Sequence, residues 1–168
     1  MKNCLLLLLG FFATPFIFSQ ILTVNSGSSV SIASGSSVTF GGLEIAPDDT
    51  FVISGDTAVS RSASAITAGD NSSVSRVYSS TALLSGFTGT LRFSYLEGEL
   101  NGIAEGDLVL ELQAADDSWT SYSGTVNETN NTVSYTFNDA VSFKAVTASA
   151  AGATLTIEDL SPTTSSIY

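Results

Sequence analysis

Apolar residues separated by one position recur along the first part of the chain, at Leu22/Val24, Val30/Ile32, Val38/Phe40, Leu43/Ile45 and Phe51/Ile53. Four of the five intervening residues are polar: Thr23, Ser31, Thr39 and Glu44. Period-two alternation of this length predicts short β-strands with one buried face. The pairs are spaced by eight, eight, five and eight residues, and Gly41-Gly42 makes the short step as a tight turn. Part of the segment is a direct repeat, NSGSSVSI followed at once by ASGSSVTF.

Two arrangements satisfy this repeat. The strands are sides of a β-solenoid, each stacked on the one a turn earlier, or they form an antiparallel meander on one face of a sandwich. Small Ser and Gly in the turns, rather than hairpin-specific pairs, favour the stacked form. Ten apolar side chains cannot offset the backbone entropy of the whole segment. It therefore needs the following strands, or a neighbouring copy, to cover it.

A Ser/Ala-rich junction over 57–70 is followed by longer-range alternation. Val74, Arg76 and Tyr78 share a face. Leu91/Phe93/Tyr95, Leu108/Leu110/Leu112, Val133/Tyr135/Phe137 and Val141/Phe143/Ala145 do the same, with a short strand from Trp119 to Tyr122 and a last one at Leu155/Ile157. Turns are predicted at the GxxG of 86–89, at AADD, at NETNN and at SAAGA. The predicted fold is all-β: a solenoid-like or meander segment over 20–60, packed on a β-sandwich or jelly roll over 61–160, with 161–168 as linker or truncated tail.

The N-terminus departs from this pattern. Lys2 precedes a leucine run at 5–9, and the apolar stretch 4–18 ends in FSQ. A charged start, an apolar core and a small residue at the cut describe a signal peptide over 1–19. Cleavage after Ser19 or after Gln20 fits. Fifteen apolar residues interrupted by Pro15 fall short of the roughly twenty that span a bilayer, so no membrane insertion is expected after cleavage.

Composition then narrows the function. The chain has no His, and its single Cys (Cys4) leaves with the leader. Zinc sites of the usual kind, thiol catalysis and a Ser-His-acid triad are excluded. Formal net charge is −11, one unit more negative without Lys2. Such a field repels phosphate backbones, which argues against nucleic acid as a partner.

Three sets of residues could carry chemistry. Trp119 and Tyr122 are candidates for a sugar-stacking platform, because Trp119 follows the polar turn at 116–118. Asp116, Asp117, Glu105 and Asp107 could offer oxygens to a structural Ca²⁺, although none has the spacing of a known calcium loop. Glu97 and Glu99 in YLEGELNG, with Glu105 and Asp107 just beyond, form the densest acidic cluster, and such a pair could serve glycoside hydrolysis; a solvated loop is the plainer reading. Arg76 and Arg92 are expected to pair with the carboxylates of YLEGEL. Asn71, Asn127 and Asn130 stand in N-glycosylation patterns.

The leader ending FSQ, the LTVNSGSSVSIASGSSVTFGG repeat and the SRVY, GFTGTLRFSYLEGELNG, DLVLEL and SWT stretches resemble something wider. They are similar to β-rich modules of large secreted and cell-surface proteins of Bacteroidetes-type bacteria, adhesin-like cargo of type IX secretion. That resemblance implies an exported, non-enzymatic structural or adhesive module at the cell surface. Its partners would be surface polysaccharide or other surface proteins. It also implies that Asp56-Thr57-Ala58 could accept an O-linked glycan. No sorting domain is recognisable after SPTTSSIY, which fits a polypeptide continuing past Tyr168 or a periplasmic product. The alternative function is a secreted carbohydrate-binding module with Trp119 and Tyr122 at its site. No cofactor is expected beyond the possible Ca²⁺.

Overall fold

The computed structural model describes residues 19–152. Residues 1–18 of the leader expected over 1–19, the strand expected at Leu155/Ile157 and the tail 161–168 lie outside the described residues. Within them the chain is all-β, with antiparallel sheets packed as a sandwich. Among the described residues the only helices are single 3-10 turns at Glu97–Glu99 and Glu105–Asp107.

The first six strands are β1 (Ser19–Val24), β2 (Ser29–Ile32), β3 (Val38–Phe40), β4 (Leu43–Pro47), β5 (Phe51–Ser54) and β6 (Thr57–Ser62). They pair concentrically and antiparallel: β3 with β4, β2 with β5, and β1 with β6. This nested arrangement takes the place of the favoured solenoid, in which strands would stack at successive turns. The reason lies in what the repeat encodes. NSGS and ASGS both close a β-turn, Ser28 N–H to Asn25 O at 3.0 Å and Ser36 N–H to Ala33 O at 3.1 Å. Each has a positive-φ glycine third, Gly27 at 76° and Gly35 at 73°. The repeat is thus of corners. Gly41 and Gly42, both at positive φ, then reverse the chain as a two-residue hairpin turn.

Seven strands follow: β7 (Thr67–Ala68), β8 (Asn71–Ser72), β9 (Val77–Ser94), β10 (Leu108–Gln113), β11 (Trp119–Tyr122), β12 (Thr125–Asn127) and β13 (Thr132–Ala150). The two long strands, β9 and β13, organise everything else. Their halves belong to different layers. One layer runs β1-β6-β9-β13-β10-β11 through the first half of β9 and the last half of β13. The other runs β3-β4-β9-β13-β12 through the opposite halves.

Between the layers both strands bend through irregular register. Residues 138–140 stand opposite Thr88 alone, and 80–83 stand opposite Lys144 alone. Bulges of this kind increase bend and twist. Gly89, at φ 119°, stands opposite Pro47 at the end of the β4–β9 pairing; a side chain there would collide with the backbone of Ala46, Pro47 and Asp48. The GxxG stretch is therefore a bend within one strand rather than a reversal. For the same reason the segments expected around Val133 and Val141 are a single strand.

One hydrophobic cluster fills the space between the layers. It joins Val24, Ile32, Ile45 and Phe51 of the repeat segment to Tyr78, Phe87, Leu110 and Phe143. Phe87 sits among Phe51, Phe137 and Phe143 at ring-centroid distances of 5.3–6.2 Å, all edge-to-face. The boundary expected near residue 60 falls inside β6, which pairs with β1 on one side and β9 on the other.

Candidate functional site

Cross-strand partners in an antiparallel sheet share a face. Register therefore sorts the exposed side chains of the six-stranded layer. Trp119 is opposite Gln113, Gln113 opposite Ala145, Ala145 opposite Ser79, and Ser79 opposite Ser60. This row crosses five strands on the outer face, and its middle members are small. Beside it the chain after β6 rises off the sheet as an arm over 62–67. The result is a groove of about 450 Å³. Its floor is Val77, Ser79 and Ala145; one wall is Ser62, Ser64, Ile66 and Thr67; Gln113 and the half-buried indole of Trp119 form the other.

The arm is held in place by a set of hydrogen bonds. Ser73 and Ile66 exchange two, Ser73 N–H to Ile66 O at 2.8 Å and Ile66 N–H to Ser73 Oγ at 3.0 Å. Asn71 Nδ2 donates to Ala150 O at 3.0 Å, and Asn101 Nδ2 to Ser73 O at 3.1 Å. Ser73 also bridges Ser149 of β13.

Tyr122 does not join Trp119. Three residues along a strand place them on opposite faces, and Tyr122 is opposite the fully buried Leu110. Its ring packs against Tyr135 at 5.0 Å and Phe137 at 4.9 Å. Burial, and then the neighbouring Tyr135, push its hydroxyl above the usual tyrosine range. The two-residue aromatic platform is corrected to a single half-buried indole.

The four carboxylates considered for Ca²⁺ fall into two places. Glu105 and Asp107 precede β10, whereas Asp116 and Asp117 follow it. The six-residue strand keeps them about 20 Å apart. At the distal turn the Lys144 ammonium already lies against Asp117 Oδ1 at 2.6 Å and Ala115 O at 3.2 Å. Asp116 accepts from Ser118 Oγ at 2.6 Å and Ser118 N–H at 3.1 Å, and these bonds hold its carboxyl below the usual range. Glu105 Oε2 accepts the Tyr95 hydroxyl at 2.7 Å. Burial, and then this bond, raise the Tyr95 pKa. Among the described residues no three Asp, Glu, Cys or His gather as metal ligands.

Glu97 and Glu99 are likewise engaged in structure. Glu99 takes the Arg76 guanidinium, with Nε at 2.8 Å and Nη2 at 3.0 Å, and accepts Leu96 N–H at 2.9 Å. Glu97 accepts from Asn131 Nδ2 at 3.2 Å. Arg76 thus pairs with YLEGEL as expected. Arg92 does not: it meets Glu44, its directly opposite partner on β4, at 2.5 Å. Arg92 also borders a second, polar depression of about 510 Å³ on the other layer, lined by Thr125, Asn127, Asn130, Thr132 and Ser134. Thr57, the residue of the O-glycan pattern, is 2 % exposed, so its hydroxyl is not accessible in the folded chain.

One residue was not singled out from sequence. Glu111 alternates with leucines and reads there as solvent-facing, yet it is 1 % exposed. Its Oε1 accepts Ser121 Oγ at 2.6 Å and Ser149 Oγ at 2.7 Å, while Oε2 has no partner among the described residues. The available signal was the nearly unbroken apolar run LVLEL, which suits a strand covered on both faces.

Compared with known protein families, with curated proteins and with solved structures, the chain matches none.

Proposed function

We propose that the chain is an exported, non-enzymatic adhesive module of the cell surface. The observation that carries this reading is the groove of the six-stranded layer: an indole and a set of hydroxyls on a rigid sheet, with no ionisable side chain in its lining. Such a surface suits recognition rather than bond-breaking. The carboxylates that could have served hydrolysis support the same view, since Glu99 is bound to Arg76 and Glu97 to Asn131. Export rests on the leader pattern of 1–19. Its partners would be surface polysaccharide or other surface proteins, and its acidity disfavours nucleic acid.

A second reading, a carbohydrate-binding module, is favoured by the partial exposure of Trp119 beside the groove. Tyr122 has no part in it.

The export reading is tested by producing the tagged chain with its own leader in a Bacteroidetes-type host and fractionating the cells. The tag is expected outside the cytoplasm, on a product beginning near Gln20. Cytoplasmic protein that still carries Met1 would refute the proposal.

A further inference from the structure

We propose that the groove between Trp119 and the 62–67 arm binds an uncharged glycan chain. This rests on the reading of the module as a surface adhesin and supplies its ligand class.

The lining argues first from charge. Sixteen acidic residues are present in the chain, yet none lines this groove, and neither does a basic one. A charged ligand would be desolvated there without a counter-charge, whereas a neutral one need only exchange its water hydrogen bonds for those of the lining. The lining argues next from the pairing of chemistries. Trp119 offers apolar surface above the nearly covered Val77 and Ala145, while Ser62, Ser64 and Ser79 offer hydroxyls that both donate and accept. A pyranose carries the same two faces, a C–H face that packs on an aromatic ring and an edge of hydroxyls.

Size and stiffness complete the case. About 450 Å³ lies within the roughly 300–1,000 Å³ of small-ligand sites. The groove is open to solvent on one side and is lined by residues of both the sheet and the arm. Ser73 holds the arm at Ile66, and is itself held by Asn101, so little ordering is required on binding.

Trp119 is the only tryptophan of the protein, so indole emission reports on this site alone. The purified chain is titrated with cello-, xylo-, laminari- and manno-oligosaccharides, and with polygalacturonate and chondroitin sulfate as charged controls. A saturable change in emission with at least one neutral oligosaccharide is expected, and none with the charged polymers. By calorimetry Trp119→Ala should weaken binding at least about tenfold. Ser79→Arg, at an exposed position on the groove floor, should do the same without changing the melting temperature.

Lack of binding to every neutral oligosaccharide, tighter binding of a charged one, preference for a gelatin peptide, or binding untouched by Ser79→Arg would each overturn the assignment. If that happens while the tagged chain still reaches the cell exterior, the adhesive reading stands and only this ligand class falls. Cytoplasmic retention would remove the adhesive reading and leave the titration to be judged alone.

Discussion

Tyr78 and Phe93 belong to the same β-strand, fifteen positions apart, yet their rings meet edge-to-face with centroids 5.7 Å apart. A straight strand would separate them by about 50 Å. Their contact requires β9 to fold over on itself, and it places the two layers face to face. The Tyr78 hydroxyl donates to Gly41 O at 2.7 Å, fastening the β3–β4 turn to the same point. Phe93→Ala should cost about 3–5 kcal/mol, and Tyr78→Phe about 1 kcal/mol, in urea unfolding. A loss below 1 kcal/mol for Phe93→Ala would contradict this account of the layer contact.

Arg76 closes that contact from the side. It donates to Ser94 O at 2.8 Å and grips Glu99 with two nitrogens, while its side chain is only 6 % exposed. Removing the cation strands a carboxylate that is itself largely covered. Arg76→Ala is expected to destabilise by about 3–5 kcal/mol, and pairing Arg76→Met with Glu99→Leu should restore much of it. Additive losses in the double variant would show that the two residues act separately.

Gly89 permits the close approach of the end of β4 at the bend. Alanine there meets an unfavourable φ and the backbone of three residues at once. Backbone cannot move aside as a flexible side chain would, so Gly89→Ala should lose at least about 2 kcal/mol. Gly69 also has positive φ but faces open space, and its substitution should cost less. Melting curves of the two variants give the comparison directly.

Three tyrosines set the alkaline limit. Burial raises the pKa of Tyr78, Tyr95 and Tyr122 above the usual value of 10.0. Each is neutral when protonated, and the folded state holds the proton more tightly than the unfolded one. Their contribution is therefore complete below about pH 10 and is lost as pH climbs through the folded-state values. Stability should decline above that point, with tyrosinate absorbance appearing together with unfolding. Free titration of all tyrosines in the native state near pH 10 would count against it.

The distal turn at 114–118 is held by Lys144. The Asp117 side chain is 78 % exposed, so this ion pair should contribute no more than about 1 kcal/mol. Melting temperature is expected to be the same in EDTA as in millimolar Ca²⁺. A rise with Ca²⁺ that vanishes in Asp116→Asn or Asp107→Asn would restore the calcium site at the corresponding turn.

Much of this was legible along the chain. Alternation located β2 to β5 and β10, and Gly41-Gly42, AADD and NETNN are turns as their residues require. Even the separation of Trp119 from Tyr122 was available, because an odd spacing in a strand puts two side chains on opposite faces. The single-tryptophan composition, the want of His and the acidity were fixed by the residues themselves. Tertiary structure alone decided that NSGS and ASGS would be corners of a nested hairpin, and that the glycines at 86 and 89 would bend a strand rather than end it. It alone decided that Glu111 would be buried and that Arg92 would find Glu44. Alternation records which side chains share a face, a property of neighbours one and two residues away. What covers that face depends on chain brought in from dozens of residues distant, and only the folded packing supplies it.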